Sequence, residues 1–234
     1  MILHYDIQDI VPYINWLYFY HAWSMNGKSE TAKLQLRKDA EEMLHTWEGC
    51  YHTHAVFGLF DANSDGDDLI LGDKRLPMLR QQKPKKPGYP NLCLADFVRP
   101  VGKGKDKVGA FATSVDAELQ KAYLHDDYQR MLSQVLADRL AEGTAEKMHE
   151  EVRRNYWGYA PNERLTMEQT HNEQYQGIRP AVGYPSLPDT SINFILNELI
   201  DMKGIGIRLT ESGMMTPHAS VSGLMMAHPG SCYF

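Results

Sequence analysis

The 234-residue sequence predicts an α+β fold with a mainly antiparallel sheet. Segments with strand-like periodicity do not alternate regularly with helical ones, as a doubly wound parallel sheet would require. No linker rich in proline, glycine or serine divides the chain, and no internal repeat is present. Hydrophobic residues make up 43% and charged residues 23%, which are ordinary values for a globular protein. We therefore expect one domain spanning residues 1–234.

Composition excludes several classes of protein. The 24 basic and 30 acidic residues give a formal net charge of −6, which disfavours a general nucleic-acid binder. No apolar run approaches the roughly 20 residues that span a bilayer, and no secretory signal is visible at the start. The cysteines Cys50, Cys93 and Cys232 lie far apart and form neither a disulfide framework nor a CxxC pair. A cytoplasmic protein without membrane or nucleic-acid partners is expected.

Periodicity defines the elements of the first half of the chain. Residues 29–47 form an amphipathic helix, because apolar residues recur there at helical spacing: Leu36, Ala40, Met43, Leu44 and Trp47. A strand at 54–60, a turn at 61–67 and an apolar return at 69–71 make a hairpin pattern. A basic, proline-broken segment covers 74–90, and two strands are predicted after it, at 92–98 and 108–113.

The second half begins with the longest helical signal, from 116 to 156. Its length predicts two consecutive helices that meet near Asp126 and Asp127. The buried face is expected to contain Tyr128, Met131, Leu132, Val135, Leu136, Leu140, Met148 and Val152. A capping box at 166–169 opens a short helix, and Pro188-Asp189 caps another that stops at Gly204. Strands at 205–210 and 219–227 follow.

The short motifs of well-known chemistry are incomplete in this sequence. Residues 61–66 resemble the start of a calcium-binding loop, but its twelfth position is Gly72 and not a glutamate, so a hairpin turn is favoured. His52 and His54 share one strand face, where a packing or surface role is favoured over a metal site. The basic run at 74–86 is either a docking patch for an acidic partner or, as we favour, a solvated loop. Generic motifs leave the function open.

Three irregular segments in the last third carry more information. They are GIRPAVGYP at 177–185, LTES at 209–212 with ASVSG at 219–223, and HPGSCYF at 228–234. Arg179 lies on a loop stiffened by prolines, which suits it to hold a carboxylate through two parallel hydrogen bonds; capping a helix end is the alternative. The aromatic pair Tyr233 and Phe234 either sandwiches a planar base or buries the chain end.

These motifs, in this order and at this spacing, resemble the activation domain of cobalamin-dependent methionine synthase. YINW at 13–16, LADRLAE at 136–142 and YWGYA at 156–160 extend the resemblance through nearly the whole chain. The resemblance implies a single C-shaped domain around a twisted, mainly antiparallel sheet. It also implies an S-adenosylmethionine-binding module that supplies the methyl group for reductive methylation of cobalamin. Reduced flavodoxin or a similar reductase would supply the electron.

The resemblance also implies which residues bind the ligand. Arg179 would bind the carboxylate, Ala181 would offer backbone contacts and Tyr184 would shape the pocket. Tyr233 and Phe234 would lie at the nucleoside end. Acidic groups suit a ligand that carries a sulfonium and an ammonium, and Glu142 and Glu173 match the acids of the family near the site. Asn15 would accept a hydrogen bond from the ligand's amino group. No catalytic residue and no metal is implied, because the methyl transfer needs mainly positioning and exclusion of water.

Two departures from the family pattern bear on this expectation. The family usually has an aspartate in place of Asn15, so charge assistance is lost here. It also commonly has His-Thr-Glu where this chain has residues 190–192, Thr-Ser-Ile. No cobalamin, folate or homocysteine domain is present, so we expect reactivation in trans of a separate methionine synthase core, which would bind the cobalamin. The alternatives are an activator or methyltransferase for another corrinoid protein, and a non-catalytic ligand-binding scaffold.

Overall fold

A six-stranded antiparallel sheet forms the centre of the fold in the computed structural model. The structure describes residues 1–84 and 86–234, with the backbone alone at Gln120. The elements, in chain order, are β1 (Ile2–Asp6), α1 (Ile7–Ile10), α2 (Trp16–Ala22), α3 (Glu30–Trp47), β2 (His52–Asp65), β3 (Asp68–Leu71), β4 (Lys74–Pro77), β5 (Asp106–Val115), α4 (Asp127–Glu151), α5 (Met167–His171), α6 (Ile192–Leu199), β6 (Arg208–Leu209), β7 (Met215–Thr216) and β8 (Ser220–Met225). The sheet is strongly curled and flanked by helices, which confirms the predicted α+β class. Among the described residues, no helix is long and apolar enough to cross a membrane.

The strands follow the order β4-β3-β2-β5-β8, and β1 pairs with the first part of β2. β2 and β3 form the predicted hairpin, but β2 continues to Asp65, so the turn is shorter than the predicted 61–67. Gly66 adopts a φ of 62° in this turn. β4 lies in the segment that the sequence predicts as a loop. A loop is favoured there because the KRLP sequence of β4 combines two cations with a proline. A proline is tolerated here since β4 is an edge strand. Lys85 of the same basic segment lies outside the described residues.

The two faces of the sheet contribute to two hydrophobic clusters, because successive side chains of a strand point to opposite faces. One face carries Phe57 and Phe111 into a cluster with the apolar sides of α1, α2, α3 and α4. The other carries Val56 and Ala110 into a second cluster with α6 and the 3₁₀ turn Met202–Ile205. β2 and β5 therefore join both clusters.

The two long helices begin at side-chain caps. The hydroxyl of Ser29 accepts a hydrogen bond from the N–H of Ala32 over 3.2 Å at the start of α3. All five predicted apolar positions of α3 are buried. The carboxylate of Asp126 accepts from the N–H of Gln129 over 2.8 Å, so α4 begins at the predicted break.

The first turn of α4 differs from the prediction. Tyr128 and Met131 were expected on the buried face but are 44% and 42% exposed. The ring of Tyr128 lies 5.4 Å from that of Trp23, and its hydroxyl donates to Asp39 of α3 over 2.5 Å. This tyrosine therefore links helices at the surface. The segment before α4, predicted as helix from residue 116, contains a short 3₁₀ turn, Leu119–Lys121, instead of an α-helix.

The strand predicted at 92–98 is wrong. Leu94–Phe97 forms a 3₁₀ helix. The carboxylate of Asp96 accepts from the N–H of Cys93 over 2.9 Å and from the guanidinium of Arg80 over 2.8 Å. Such local side-chain hydrogen bonds compete with a strand ladder and favour the turn.

The elements at the end of the chain are shorter than predicted. α6 ends at Leu199, and the predicted stop, Gly204, lies inside the following 3₁₀ turn. Gly206, with a φ of 78°, takes the left-handed position that ends this turn. The strand predicted at 205–210 has two residues, β6, paired with β7 away from the main sheet. The sequence periodicity missed β1, α1 and α2.

Candidate functional site

Four polar residues on one face of α4 and the turn after it form the centre of the candidate site. Glu142, Glu146, His149 and Arg153 recur at helical spacing, so they share one face. α4 passes into a π-helical turn at Val152–Tyr156, a distortion that is frequent at functional sites. His149 and Arg153 are completely buried. Charged and polar groups thus line the inner side of this helix.

The loop at 177–185 lies along the free edge of β8. Ala181 faces Gly223, and the N–H of Leu224 donates to the carbonyl of Pro180 over 3.0 Å. A Cβ atom at Gly223 would come within 2.2 Å of this carbonyl oxygen, so the close approach of the two segments requires glycine. The ASVSG motif therefore positions the loop.

The LTES motif is held by α6 and by the segment before it. The amide of Asn193 donates to the carbonyl of Gly213 over 2.8 Å and accepts from the hydroxyl of Ser222 over 2.6 Å. The hydroxyl of Thr190 donates to the carbonyl of Ser212 over 3.2 Å. Thr190, one of the departures from the family pattern, thus has a structural contact in this chain.

The side chain of Arg179 forms an ion pair with Glu146 of α4. Its Nη2 donates to Oε1 of Glu146, and the guanidinium lies 5.7 Å from the centre of the Phe111 ring. Burial acts to lower the pKa of Arg179, but Glu146, Tyr175, Tyr233 and Glu142 together outweigh burial, so the pKa is raised. Among the described residues, Nε of Arg179 is buried and has no hydrogen-bond partner. The predicted carboxylate-binding residue therefore keeps an unused donor.

Tyr233 connects the last residues of the chain to this loop. Its oxygen accepts from the backbone N–H of Arg179 over 2.8 Å and lies 3.2 Å from the hydroxyl of Tyr175. The Tyr175 ring meets His149 edge-on, with ring centres 4.9 Å apart. Burial raises the pKa of both tyrosines. Burial, aided by Arg153 and Arg179, holds the pKa of His149 well below its usual value, so the imidazole is neutral.

Glu142 lies one helical turn before Glu146 and pairs with Arg139 instead of Arg179. Both of its oxygens accept from the guanidinium of Arg139, over 2.7 and 3.0 Å. Burial raises the pKa of Glu142, whereas Arg139 and Arg179 act to lower it. Burial and the Glu142 carboxylate also raise the pKa of Tyr184, whose side chain is largely exposed. Tyr184 therefore lies at the outer end of the site, near Glu142.

Asn15 caps α2 beside an open groove. Its side-chain oxygen accepts from the N–H of Leu17 over 3.2 Å. The groove has a volume of about 470 Å³ and is lined by residues 12, 14–18, 167, 168, 171 and 172. A Cβ atom at Gly143 of α4 would lie 3.5 Å from the carbonyl carbon of Tyr13, so α4 contacts this segment directly. The fold thus brings Asn15 close to the turn of α4 that carries Glu142.

Glu173 and Phe234 occupy different surroundings. Glu173 follows α5 in a left-handed conformation, with a φ of 56°, and its charge acts on Tyr233. The ring of Phe234 is buried in the second hydrophobic cluster. Its backbone N–H donates to the hydroxyl of Ser186 over 2.9 Å, and its carbonyl accepts from the same hydroxyl over 3.0 Å. Phe234 thus fastens the end of the chain next to Tyr233.

Sequence reasoning missed Glu146, His149, Arg153 and Tyr175. The first three had a signal, because they continue the helical spacing that begins at Glu142. Tyr175 had none, since its contact with Tyr233 depends on how the chain end folds back.

The histidines of β1 and β2 lie apart from this site. Nε2 of His54 is 2.8 Å from the carboxylate of Asp116, and Nδ1 of His54 is 2.8 Å from Nδ1 of His4. These bonds connect β1, β2 and the end of β5. Within residues 1–84 and 86–234, no group of three or more histidine, cysteine, aspartate or glutamate side chains could hold a metal ion.

Two comparisons with known proteins agree. The sequence matches the family described as vitamin B12 dependent methionine synthase, activation domain, over residues 6–234. A crystal structure of the MetH reactivation domain bound to AdoHcy is similar to this chain, with a TM-score of 0.93 and 40% sequence identity. The similarity covers 100% of this chain and 80% of that chain. Both matches span every residue of the candidate site.

Proposed function

Because this chain belongs to the vitamin B12 dependent methionine synthase activation-domain family, we propose that it binds S-adenosylmethionine and supplies its methyl group for reductive methylation of cobalamin. One observation carries the proposal: within the described chain, Nε of Arg179 is a buried, charged donor without a partner. Leaving such a donor unpaired is costly, and a ligand carboxylate would satisfy it. The similar MetH reactivation domain binds AdoHcy, which ends in the same amino-acid group.

The remaining residues have distinct parts in this proposal. Ala181, held against Gly223, offers backbone contacts next to the carboxylate. Tyr184 shapes the outer end of the pocket. Tyr233 closes the nucleoside end, and Phe234 supports it by packing in the second cluster.

The charge of the site suits a cationic ligand. S-adenosylmethionine carries a sulfonium and an ammonium, and the acids Glu142 and Glu173 lower the energy of both. Burial raises the pKa of Glu142 and thus disfavours its ionised form. A cation that binds beside Glu142 offsets this effect and favours the ionised carboxylate. Asn15 accepts hydrogen bonds without a charge and contributes less than an aspartate would.

The chain's own residues position the ligand and exclude water. Bound S-adenosylmethionine would supply an electrophilic methyl group to the reduced cobalamin of the partner and would leave as S-adenosylhomocysteine. No residue of this chain has to move a proton in that transfer. The loop at 177–185, held on β8 and by Tyr233, fixes the orientation of the sulfonium, and Tyr184 shields the pocket at its outer end.

Partner proteins supply the rest of the reaction. In this proposal a separate methionine synthase core binds the cobalamin, which the B12 dependence of the family supports, and flavodoxin or a similar reductase supplies the electron. In the same proposal the chain acts in trans on that core. Residues 1–234 act as one domain, because β2 belongs to both clusters. The free thiols Cys50, Cys93 and Cys232 suit a reducing cytoplasm.

Calorimetric titration with S-adenosylmethionine tests ligand binding. The unmodified chain should bind, and Arg179→Ala should weaken binding by about tenfold or more, because a charge-assisted bond to the carboxylate is lost. Arg75→Ala is the matched control, since Arg75 pairs with Asp65 and Asp68 on the surface. No heat at millimolar ligand, or equal affinity of the Arg179 variant, would sink the binding proposal.

Reactivation tests the partner. A methionine synthase core without its activation domain, inactivated as cob(II)alamin, is mixed with this chain, reduced flavodoxin and S-adenosylmethionine. Activity should return when all components are present and should not return without this chain. Methylation of another corrinoid protein in place of the core would contradict the assignment to methionine synthase.

A further inference from the structure

Two histidines on neighbouring strands face each other near the surface of the sheet. His4 of β1 and His54 of β2 are directly paired in the antiparallel register. Their Nδ1 atoms lie 2.8 Å apart, and their rings meet edge-on with centres 4.9 Å apart. His4 is exposed, whereas the side chain of His54 is 16% exposed. Two ring nitrogens from different strands are therefore held within reach of one small ion.

The carboxylate of Asp116 decides where the hydrogen of the His54 ring lies. Its Oδ1 is 2.8 Å from Nε2 of His54, and a carboxylate oxygen only accepts, so Nε2 carries the hydrogen. Oδ2 accepts from the backbone N–H of His52 over 2.7 Å, which holds the carboxylate in place. Nδ1 of the neutral His54 ring therefore presents a lone pair toward His4. Histidines that bind metals commonly have this arrangement, in which a carboxylate holds the outer ring N–H.

The His4 ring has two ways to use this lone pair. In the structure, Nδ1 of His4 donates a hydrogen bond to it, because two neutral ring nitrogens at 2.8 Å need one hydrogen between them. In the other tautomer of His4 the hydrogen lies on Nε2, and both Nδ1 atoms present lone pairs. A cation then binds between them without any net loss of protons. Nitrogen ligands of a tetrahedral zinc ion lie about 3.3 Å apart, so the exposed His4 ring has to move by only about 0.5 Å.

An open cavity beside the pair provides room for the other ligands of such an ion. It has a volume of about 250 Å³ and is lined by both histidines, Asp116 and Glu118, and by residues 115, 117, 204–206 and 217. Within the described part of the chain, no third histidine, cysteine, aspartate or glutamate completes a metal site, so water has to supply the remaining ligands. The charges of Asp116 and Glu118 favour a dication over an anion in this cavity.

The nitrogen donors select the class of ion. Imidazole suits zinc, copper and nickel, whereas magnesium and calcium prefer oxygen ligands. We propose that His4 and His54 bind a divalent transition-metal ion, such as zinc, through their Nδ1 atoms, and that Asp116 is the positioning residue behind His54. The bound ion would connect β1 to β2.

His52, the neighbour of His54 that the sequence suggests as a second ligand, has other contacts. Its Nε2 lies 3.2 Å from the carboxylate of Asp6, with which it is paired across β1 and β2. Its Nδ1 lies 3.8 Å from Asp116. His52 is therefore a matched control, on the same strand and beside the same carboxylate but outside the proposed ligand pair.

Calorimetric titration of the unmodified chain with zinc chloride tests the site. The tightest site should hold one zinc ion per chain, and nickel should compete for it, whereas an excess of magnesium should not. His4→Gln and His54→Gln should each weaken this binding by about tenfold or more, because one of two protein ligands is lost. Asp116→Asn should weaken it by about 10- to 100-fold. His52→Gln should leave it unchanged.

Thermal unfolding gives a second readout. Zinc should raise the melting temperature of the unmodified chain and of His52→Gln but not that of His4→Gln, whose side chain is exposed and is not needed for folding. No zinc binding by the unmodified chain, or unchanged zinc affinity in His4→Gln, would overturn the proposal. An equal loss in His52→Gln would overturn it as well. Competition by magnesium would assign the ion to the oxygen atoms of Asp116 and Glu118 and would also contradict the histidine pair.

Discussion

The backbone N–H of Arg179 donates a hydrogen bond to the phenolic oxygen of Tyr233 over 2.8 Å, although 54 positions separate the two residues. The bond ties the end of the chain to the loop that carries the ion pair with Glu146. The Tyr175 hydroxyl lies 3.2 Å from the same oxygen and extends the contact toward α4. The HPGSCYF and RPAVGYP motifs therefore form one structural unit.

Tyr233→Phe should loosen this unit. The variant leaves the N–H of Arg179 without its acceptor, so we expect a loss of about 1–3 kcal/mol in the free energy of unfolding. S-adenosylmethionine affinity should fall as well, because the loop is less well positioned. Urea denaturation and calorimetry measure the two effects. Tyr89→Phe, at an exposed side chain, is the control and should change neither. Unchanged stability and affinity in Tyr233→Phe would show that the bond does not position the loop.

Gly223→Ala should separate β8 from the loop at 177–185. The new Cβ atom would meet the Pro180 carbonyl at 2.2 Å, so the loop has to move. We expect a loss of about 1–3 kcal/mol in stability, together with weaker ligand binding. Gly109→Ala is the matched control in β5, since the three atoms nearest to its Cβ belong to side chains, and only the flexible end of Met225 would lie closer than 3.0 Å. Equal effects of the two substitutions would contradict a special role for the contact at Gly223.

Asn15→Asp should strengthen binding of S-adenosylmethionine. An aspartate still accepts from the N–H of Leu17 and keeps the cap of α2. It adds a negative charge near a cationic ligand, for which we expect a gain of about three- to tenfold in affinity at low salt. Asn26→Asp, at an exposed position, controls for net charge. A gain of the same size in the control would mean that the added charge acts through the whole molecule, and no gain in Asn15→Asp would contradict its place near the ligand.

His149 should make the protein less stable in mild acid. Burial depresses the pKa of this imidazole in the folded state, so the proton binds in the unfolded state as the pH falls below about 6.5. The stability contribution is complete above that pH and decreases by about 1.4 kcal/mol for each unit below it. Urea denaturation between neutral and mildly acidic pH measures how steeply the free energy of unfolding changes with pH. His149→Gln should flatten the slope, whereas His218→Gln, at an exposed ring, should not.

The sequence predicts the long elements well because they repeat their pattern several times. α3 shows its five apolar positions at helical spacing, and all five are buried. β1 and α1 are too short for a period to be visible. Residues 92–98 are predicted as a strand, but a short apolar run fits a strand or a helical turn equally well. The hydrogen bond to the side chain of Asp96 favours the turn.

Some residues of the candidate site can be predicted from the sequence and others cannot, because only some of them lie in local motifs. Arg179 and Tyr233 lie in motifs whose residues adjoin one another in sequence, so the motifs can be found directly. Glu146 pairs with Arg179 across 33 positions, and that pairing depends on how the loop at 177–185 packs on β8 and α4. No local pattern contains this information.

The helical repeat of α4 also relates to the dimensions of the proposed ligand. Glu142 and Glu146 are four residues apart, which places them about 6 Å apart along the helix axis. In S-adenosylmethionine, the sulfonium sulfur and the ammonium nitrogen are separated by four bonds, which span a comparable length. One turn of helix therefore matches the distance between the two positive centres of the ligand. A single-residue insertion between these glutamates would destroy this match while leaving both carboxylates in the chain.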